Sequence, residues 1–204
     1  MRQQQQRLLK LAVAGAVLAV PIASQSGSIV GTSHDLSGQG WGTTEICKFC
    51  HTPHNAKSPQ LAPLWNHAST ASTFTLYSSP SLNATLGQPA GVSKACLSCH
   101  DGSVAIDSFG NQTGTHFVTG DALLGTDLAN DHPISFTFDA ALATADGGLF
   151  TPESGSYVDA AHKVPLYSAK LECGSCHNPH DNQYTKFLRK SNASSALCLT
   201  CHNK

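Results

Sequence analysis

Eight cysteines and eleven histidines stand out in this chain of 204 residues. The cysteines occur only as pairs separated by two residues, and each pair is followed at once by a histidine. The four segments are Cys47-Lys48-Phe49-Cys50-His51, Cys96-Leu97-Ser98-Cys99-His100, Cys173-Gly174-Ser175-Cys176-His177 and Cys198-Leu199-Thr200-Cys201-His202. Two thiols at this spacing can form thioethers to the two vinyl groups of one haem, and the next residue then presents an imidazole to the iron. Zinc ribbons also use Cys-x-x-Cys pairs, and a single pair can be a thioredoxin-like redox site. Neither needs a His after every second Cys, and a disulfide framework has no need of the same gap four times. The expectation is four covalently bound haem c groups, attached through Cys47, Cys50, Cys96, Cys99, Cys173, Cys176, Cys198 and Cys201. His51, His100, His177 and His202 are the expected proximal iron ligands.

The other axial position of each iron separates electron transfer from catalysis. The only methionine is Met1, at the head of a leader expected to be removed, so His–Met ligation is excluded. Seven further histidines remain: His34, His54, His67, His116, His132, His162 and His180. His54 and His180 each follow a proximal His by three residues, in His51-Thr52-Pro53-His54 and His177-Asn178-Pro179-His180. That is too close to pass round to the opposite face of the same haem, so each is expected to reach a neighbouring iron. His132 stands just before Ile134–Phe138, whose apolar alternation predicts a short half-buried strand. His34 sits on a Gly-rich arm, free to fold back or to reach into another subunit. His67 follows Trp65, an aromatic suited to packing on a haem, and is the runner-up distal ligand. His116 and His162 have loop-like surroundings and are expected to be solvated. With candidates outnumbering positions, no open iron site is expected. A haem enzyme needs such a site and a polar distal pocket, so the chain is read as no enzyme.

These residues must be positioned by an unusual polypeptide. Only 12% of it is charged and 7% aromatic, too little for a conventional core, so the haems are expected to form a stacked core. Arg2, Arg7 and Lys10 followed by the apolar run Leu11–Val20 predict a signal peptide over residues 1–25, too short to span a membrane. Without those three cations, the twelve Lys and Arg fall to nine against thirteen Asp and Glu, a formal charge of −4. An acidic chain disfavours nucleic acid and anionic membranes as partners. The first and third motifs share Cys-x-x-Cys-His-x-Pro-His, and the second and fourth share Cys-Leu-[Ser/Thr]-Cys-His. This order predicts one tetrahaem domain over residues 26–204, made of two two-haem modules at about 26–125 and 126–204. The expected fold is mostly irregular and loop-rich, with short α and 3-10 helices at the motifs and few short strands. Besides Ile134–Phe138, a strand is expected near Phe74–Tyr77, and the clearest helix opens at Ser191 or Ser194 and runs through Leu197 to Cys201.

Together these segments carry a resemblance. Ser33-His34-Asp35-Leu36-Ser37, Cys50-His51-Thr52-Pro53-His54-Asn55, Pro63-Leu64-Trp65-Asn66, Cys99-His100-Asp101-Gly102, Asn130-Asp131-His132-Pro133-Ile134 and the tail from Cys173 to Lys204 resemble the doubled-CXXCH multihaem cytochromes c. The likeness covers nearly all of the chain after the leader, thinning at residues 103–128 and 139–165. It implies electron transfer, with distal ligands at His34, His54, His132 and His180. Within the family the chain is most similar to extracellular tetrahaem cytochromes that polymerise into haem-chain filaments. That similarity implies a head-to-tail homopolymer outside the cell, other redox cytochromes as partners, and one iron site completed by a histidine of the adjoining subunit. A monomeric periplasmic shuttle is the alternative, and a multihaem reductase the third reading.

Overall fold

A computed structural model describes residues 27–58 and 60–204; the expected leader at 1–25 lies outside the described residues. Regular structure is sparse. The α-helices are α1 (Gly91–His100), α2 (Ala140–Asp146) and α3 (Cys173–Cys176), and the strands are β1 (Phe136–Thr137) and β2 (Lys170–Leu171). Single 3-10 turns lie at Ile46–Phe49, Gly120–Ala122, Thr185–Phe187, Ala193–Ser195 and Cys198–Thr200. The loop-rich fold with short helices and a small sheet is therefore as expected. No helix among the described residues is long and apolar enough to cross a membrane.

The predicted strand Ile134–Phe138 is cut to two residues. Ser135 takes a left-handed backbone (φ 60°), which breaks the pleat on its N-terminal side. The alternation nevertheless holds: Phe136 and Phe138 are buried and Thr137 is exposed. β1 pairs antiparallel with β2, placing Phe136 opposite Leu171 and Thr137 opposite Lys170. Near Phe74–Tyr77 only Thr75 forms a ladder contact, an isolated bridge to Asp127. The terminal helix is not continuous. Ser194 and Ser195 have positive φ (52° and 62°), and the segment divides into two 3-10 turns. The N-cap of the first turn is Asn192 and not Ser191 or Ser194; Ser191 Oγ accepts from Ala193 N–H at 3.1 Å, and the Asn192 carboxamide accepts from Leu197 N–H at 3.1 Å.

Helix α2 lies between the second and third motifs, where no helix is expected, although its end signals are present. The Asp139 carboxylate accepts from Leu142 N–H at 2.9 Å, and Gly147 closes the helix in the left-handed region (φ 70°), where glycine has no Cβ penalty. Side chains also build more core than composition predicted. Phe136, Phe138, Val158, Val164, Leu166 and Leu171 form one buried cluster, and Phe74, Leu97 and Leu128 form a second.

Between them α1 packs on α3, a contact permitted by small residues. Ser93 and Ser175 are fully buried, and Ser93 Oγ accepts from Cys173 N–H at 2.9 Å. A Cβ on Gly174 would lie 2.7 Å from the Tyr167 hydroxyl and 2.9 Å from Val92, so any larger residue there must displace one of them.

Two substitutions check this packing. Phe138→Ala, at 2% exposure, is expected to cost about 3–5 kcal/mol, and Asp139→Ala about 1 kcal/mol through the lost cap. Denaturant unfolding of the haem-loaded protein should give that order.

Candidate haem attachment sites

Each Cys-x-x-Cys-His segment is wound as one helical turn. The His N–H bonds to the first Cys carbonyl in His51→Cys47 (2.8 Å), His177→Cys173 (3.0 Å) and His202→Cys198 (3.0 Å), and the second motif closes α1. Residues three apart on such a turn share a face, so the two thiols of each motif point the same way. None of the eight is joined to another in a disulfide.

The motif imidazoles are then oriented by main-chain carbonyls. His51 Nδ1 lies 2.7 Å from Pro63 O, His100 Nδ1 2.8 Å from Ala122 O, and His177 Nδ1 2.8 Å from Lys186 O. A carbonyl only accepts, so Nδ1 carries the proton and the Nε2 lone pair is left for a metal. The first and third sites share one scaffold. Thr52 N–H bonds to Leu64 O (2.9 Å) and Asn66 N–H to Cys50 O (2.7 Å); likewise Asn178 N–H bonds to Phe187 O (2.7 Å) and Arg189 N–H to Cys176 O (2.9 Å). The bridges His51–Trp65 and His177–Leu188 complete the correspondence. In both sites a left-handed residue, Leu64 (φ 57°) or Phe187 (φ 58°), turns the preceding carbonyl onto the imidazole.

Three motif histidines face a second histidine. Ring centroids are 6.0 Å apart for His51 and His180, 6.1 Å for His100 and His34, and 6.4 Å for His202 and His132. Two imidazoles on opposite sides of one metal, with bonds of about 2 Å, put their centroids roughly 6 Å apart. Burial, with the facing imidazole adding to it, pushes His34, His180 and His202 below the usual histidine range. This favours the neutral form that binds metal. His34 also stacks on Phe187 at 4.5 Å, and its Nδ1 is buried with no protein partner among the described residues. So is Trp65 Nε1, whose ring stands edge-on to His51 at 5.9 Å. A buried N–H without a protein acceptor fits a haem carboxylate beside it. The residues present therefore fit haem.

The remaining histidines are placed differently. His54 and His177 are exposed, and neither has another imidazole at this spacing among the described residues. His67 is 1% exposed. Its Nδ1 lies 2.7 Å from Ala68 O and its Nε2 3.0 Å from Ala105 O, so both nitrogens are turned to backbone. His116 is held by Asp107 at 2.9 Å and stacks on Trp41; His162 stacks on Tyr157. The carbonyl anchors and the Trp65 edge had no sequence signal beyond the Pro63-Leu64-Trp65-Asn66 segment itself.

Thiols of successive motifs lie side by side. Burial pushes Cys99 up to about 12, with Cys50 adding to it. The neighbouring Cys173 thiol across the α1–α3 contact, together with burial, pushes the Cys96 thiol up. Burial likewise carries Cys176 to about 11 and Cys201 to about 12, with further rises from Cys198 beside both. After the second motif, Asp101 anchors a buried polar knot. Burial alone would raise its carboxyl, but hydrogen bonds from Thr70 and Ser103 outweigh that and hold it low.

Residues 166–204, which hold the third and fourth motifs, match the family model of the doubled CXXCH motif. No curated protein matches the chain. The match supports a multihaem c-type cytochrome carrying covalently bound haem c. Electron transfer is the activity that class implies.

Replacing Cys173 and Cys176 together by serine is expected to remove one haem per chain and leave the others attached. Intact-protein mass spectrometry with a pyridine haemochrome assay would measure it; an unchanged haem count would contradict the assignment.

Proposed function

We propose that this chain is a tetrahaem electron conduit that is exported and assembles head to tail into an extracellular filament. The carrying observation is the histidine pairing: three motif imidazoles have a facing partner within the chain, and His177 does not. His54, the ligand candidate left over, is exposed and unpaired among the described residues. A second copy satisfies both needs, with His54 of one subunit facing His177 of the next. Because the two patches differ, the contact is heterologous, and a heterologous contact that does not close grows as an open filament.

Haem supplies the one-electron iron couple at each site. The chain's part is to hold two imidazoles at each iron in both oxidation states, so that little reorganises. His34, His132 and His180 serve in cis and His54 in trans, while His51, His100, His177 and His202 are proximal. In this reading the chain after the leader is one domain of two two-haem modules, and other redox cytochromes deliver and remove the electrons. The motif likeness to the tetrahaem extracellular cytochrome OmcE favours the filament over a monomeric shuttle.

Carbon monoxide reports the trans ligand, since it binds ferrous haem only where an axial position is open. Assembled wild-type protein is expected to bind none. His54→Ala is expected to abolish filaments in electron micrographs and to bind one carbon monoxide per chain. Monodisperse wild-type particles that bind no carbon monoxide would establish the periplasmic shuttle instead. Stoichiometric binding to intact filaments would revive an enzyme.

A further inference from the structure

Glu172 is the residue immediately before the third motif, and it is 3% exposed. The chain after the leader has two other glutamates, Glu45 and Glu153, and both are exposed. Burying a carboxylate is costly unless it is paired or well hydrogen-bonded. No cation pairs with Glu172: among the described residues the one ion pair is His116–Asp107. Lys94 on α1 and Lys170 on β2, the basic residues of the elements packed around it, form no ion pair with it.

Ser135 Oγ accepts from Ala90 N–H at 3.4 Å and donates to Glu172 Oε2 at 2.8 Å. Ser175 fixes the Glu172 main chain instead: its Oγ accepts from Glu172 N–H at 3.0 Å and its N–H donates to Glu172 O at 2.8 Å. Glu172 thus has one hydroxyl donor and no cation beside its carboxyl group among the described residues. Its residue precedes Cys173 at the α1–α3 contact, where Cys173 N–H donates to Ser93 Oγ at 2.9 Å and the second motif, at the end of α1, meets the third. The carboxylate thus lies where two attachment sites touch, in an interior where charges interact strongly.

We propose that Glu172 is a built-in counter-charge for the oxidised haem of the third motif, and lowers its reduction potential. This rests on haem being attached there. A ferric haem with two neutral imidazoles has one net positive charge at its centre, and the ferrous form has none. The couple takes up one electron and no proton, so a fixed anion favours the oxidised side. The carboxylate gains the compensation that no lysine or arginine gives it.

The test is Glu172→Gln, which keeps an acceptor oxygen for Ser135 while removing the charge. Haem content is measured first, so loss of haem is recognised separately as failure of the attachment reading. In spectroelectrochemical titration one component of the variant is expected to move upward. The expected shift is a tenfold rise in the ferrous-to-ferric ratio at fixed electrode potential, about 59 mV for one electron. The component is identified as the one missing from the Cys173→Ser/Cys176→Ser protein. A merely structural cap would lower thermal stability and leave all the potentials in place, which overturns the proposal. Should the variant fail to fold, redox-difference infrared spectroscopy of wild-type protein carrying 13C-labelled glutamate decides. An ionised-carboxylate band that shifts on reduction supports the counter-charge; no glutamate signal, or a protonated one, overturns it.

Discussion

Everything in this molecule depends on one helical turn, repeated. Closing the His N–H onto the first Cys carbonyl sets two sulfurs on one face and the imidazole at the end of the turn. Where the turn belongs to a real helix, as in α1, the surrounding structure is regular; elsewhere it stands as a short isolated turn. A thioether framework tolerates this, because covalent attachment does not need a cooperative core to keep its ligand. The remaining chain can then be used to aim imidazoles, which needs bridges and turns rather than long elements.

The first and third sites make the point most directly. Each combines a motif turn with an antiparallel bridge and a left-handed corner, and each leaves a different side chain at the matching place: Trp65 in one, Leu188 in the other. The Lys186–Phe187 corner supplies two sites at once, since Lys186 O orients His177 while the Phe187 ring stacks on His34. His34 in turn faces His100. The arm before the first motif, the second motif and the third are thereby tied together, and the small-residue contact of α1 with α3 adds a second link between them.

Much of this was legible in the residues. The motif spacing named the chemistry, and the alternation around Phe136 and Phe138 named the buried face. What escaped was governed by single backbone angles. Ser135, Ser194 and Ser195 adopt positive φ, a choice that serine makes under tertiary pressure and not by propensity, so a strand shortened and a helix divided. Val158, Val164 and Leu166, which complete the cluster of Phe136 and Phe138, and Phe74 and Leu128, which cover Leu97, escaped because they lie in loops and show no periodicity. Pairings such as His180 with His51 join residues more than a hundred positions apart, and only the folded chain brings them together.

The carbonyl anchors have an evolutionary consequence. The groups that fix His51, His100 and His177 belong to a proline, an alanine and a lysine, three side chains with nothing in common. A main-chain oxygen survives every substitution that leaves the local turn intact. Ligand geometry is thus largely insulated from sequence drift, and lineages carrying such sites can diverge almost beyond recognition between their motifs while the imidazoles stay aimed.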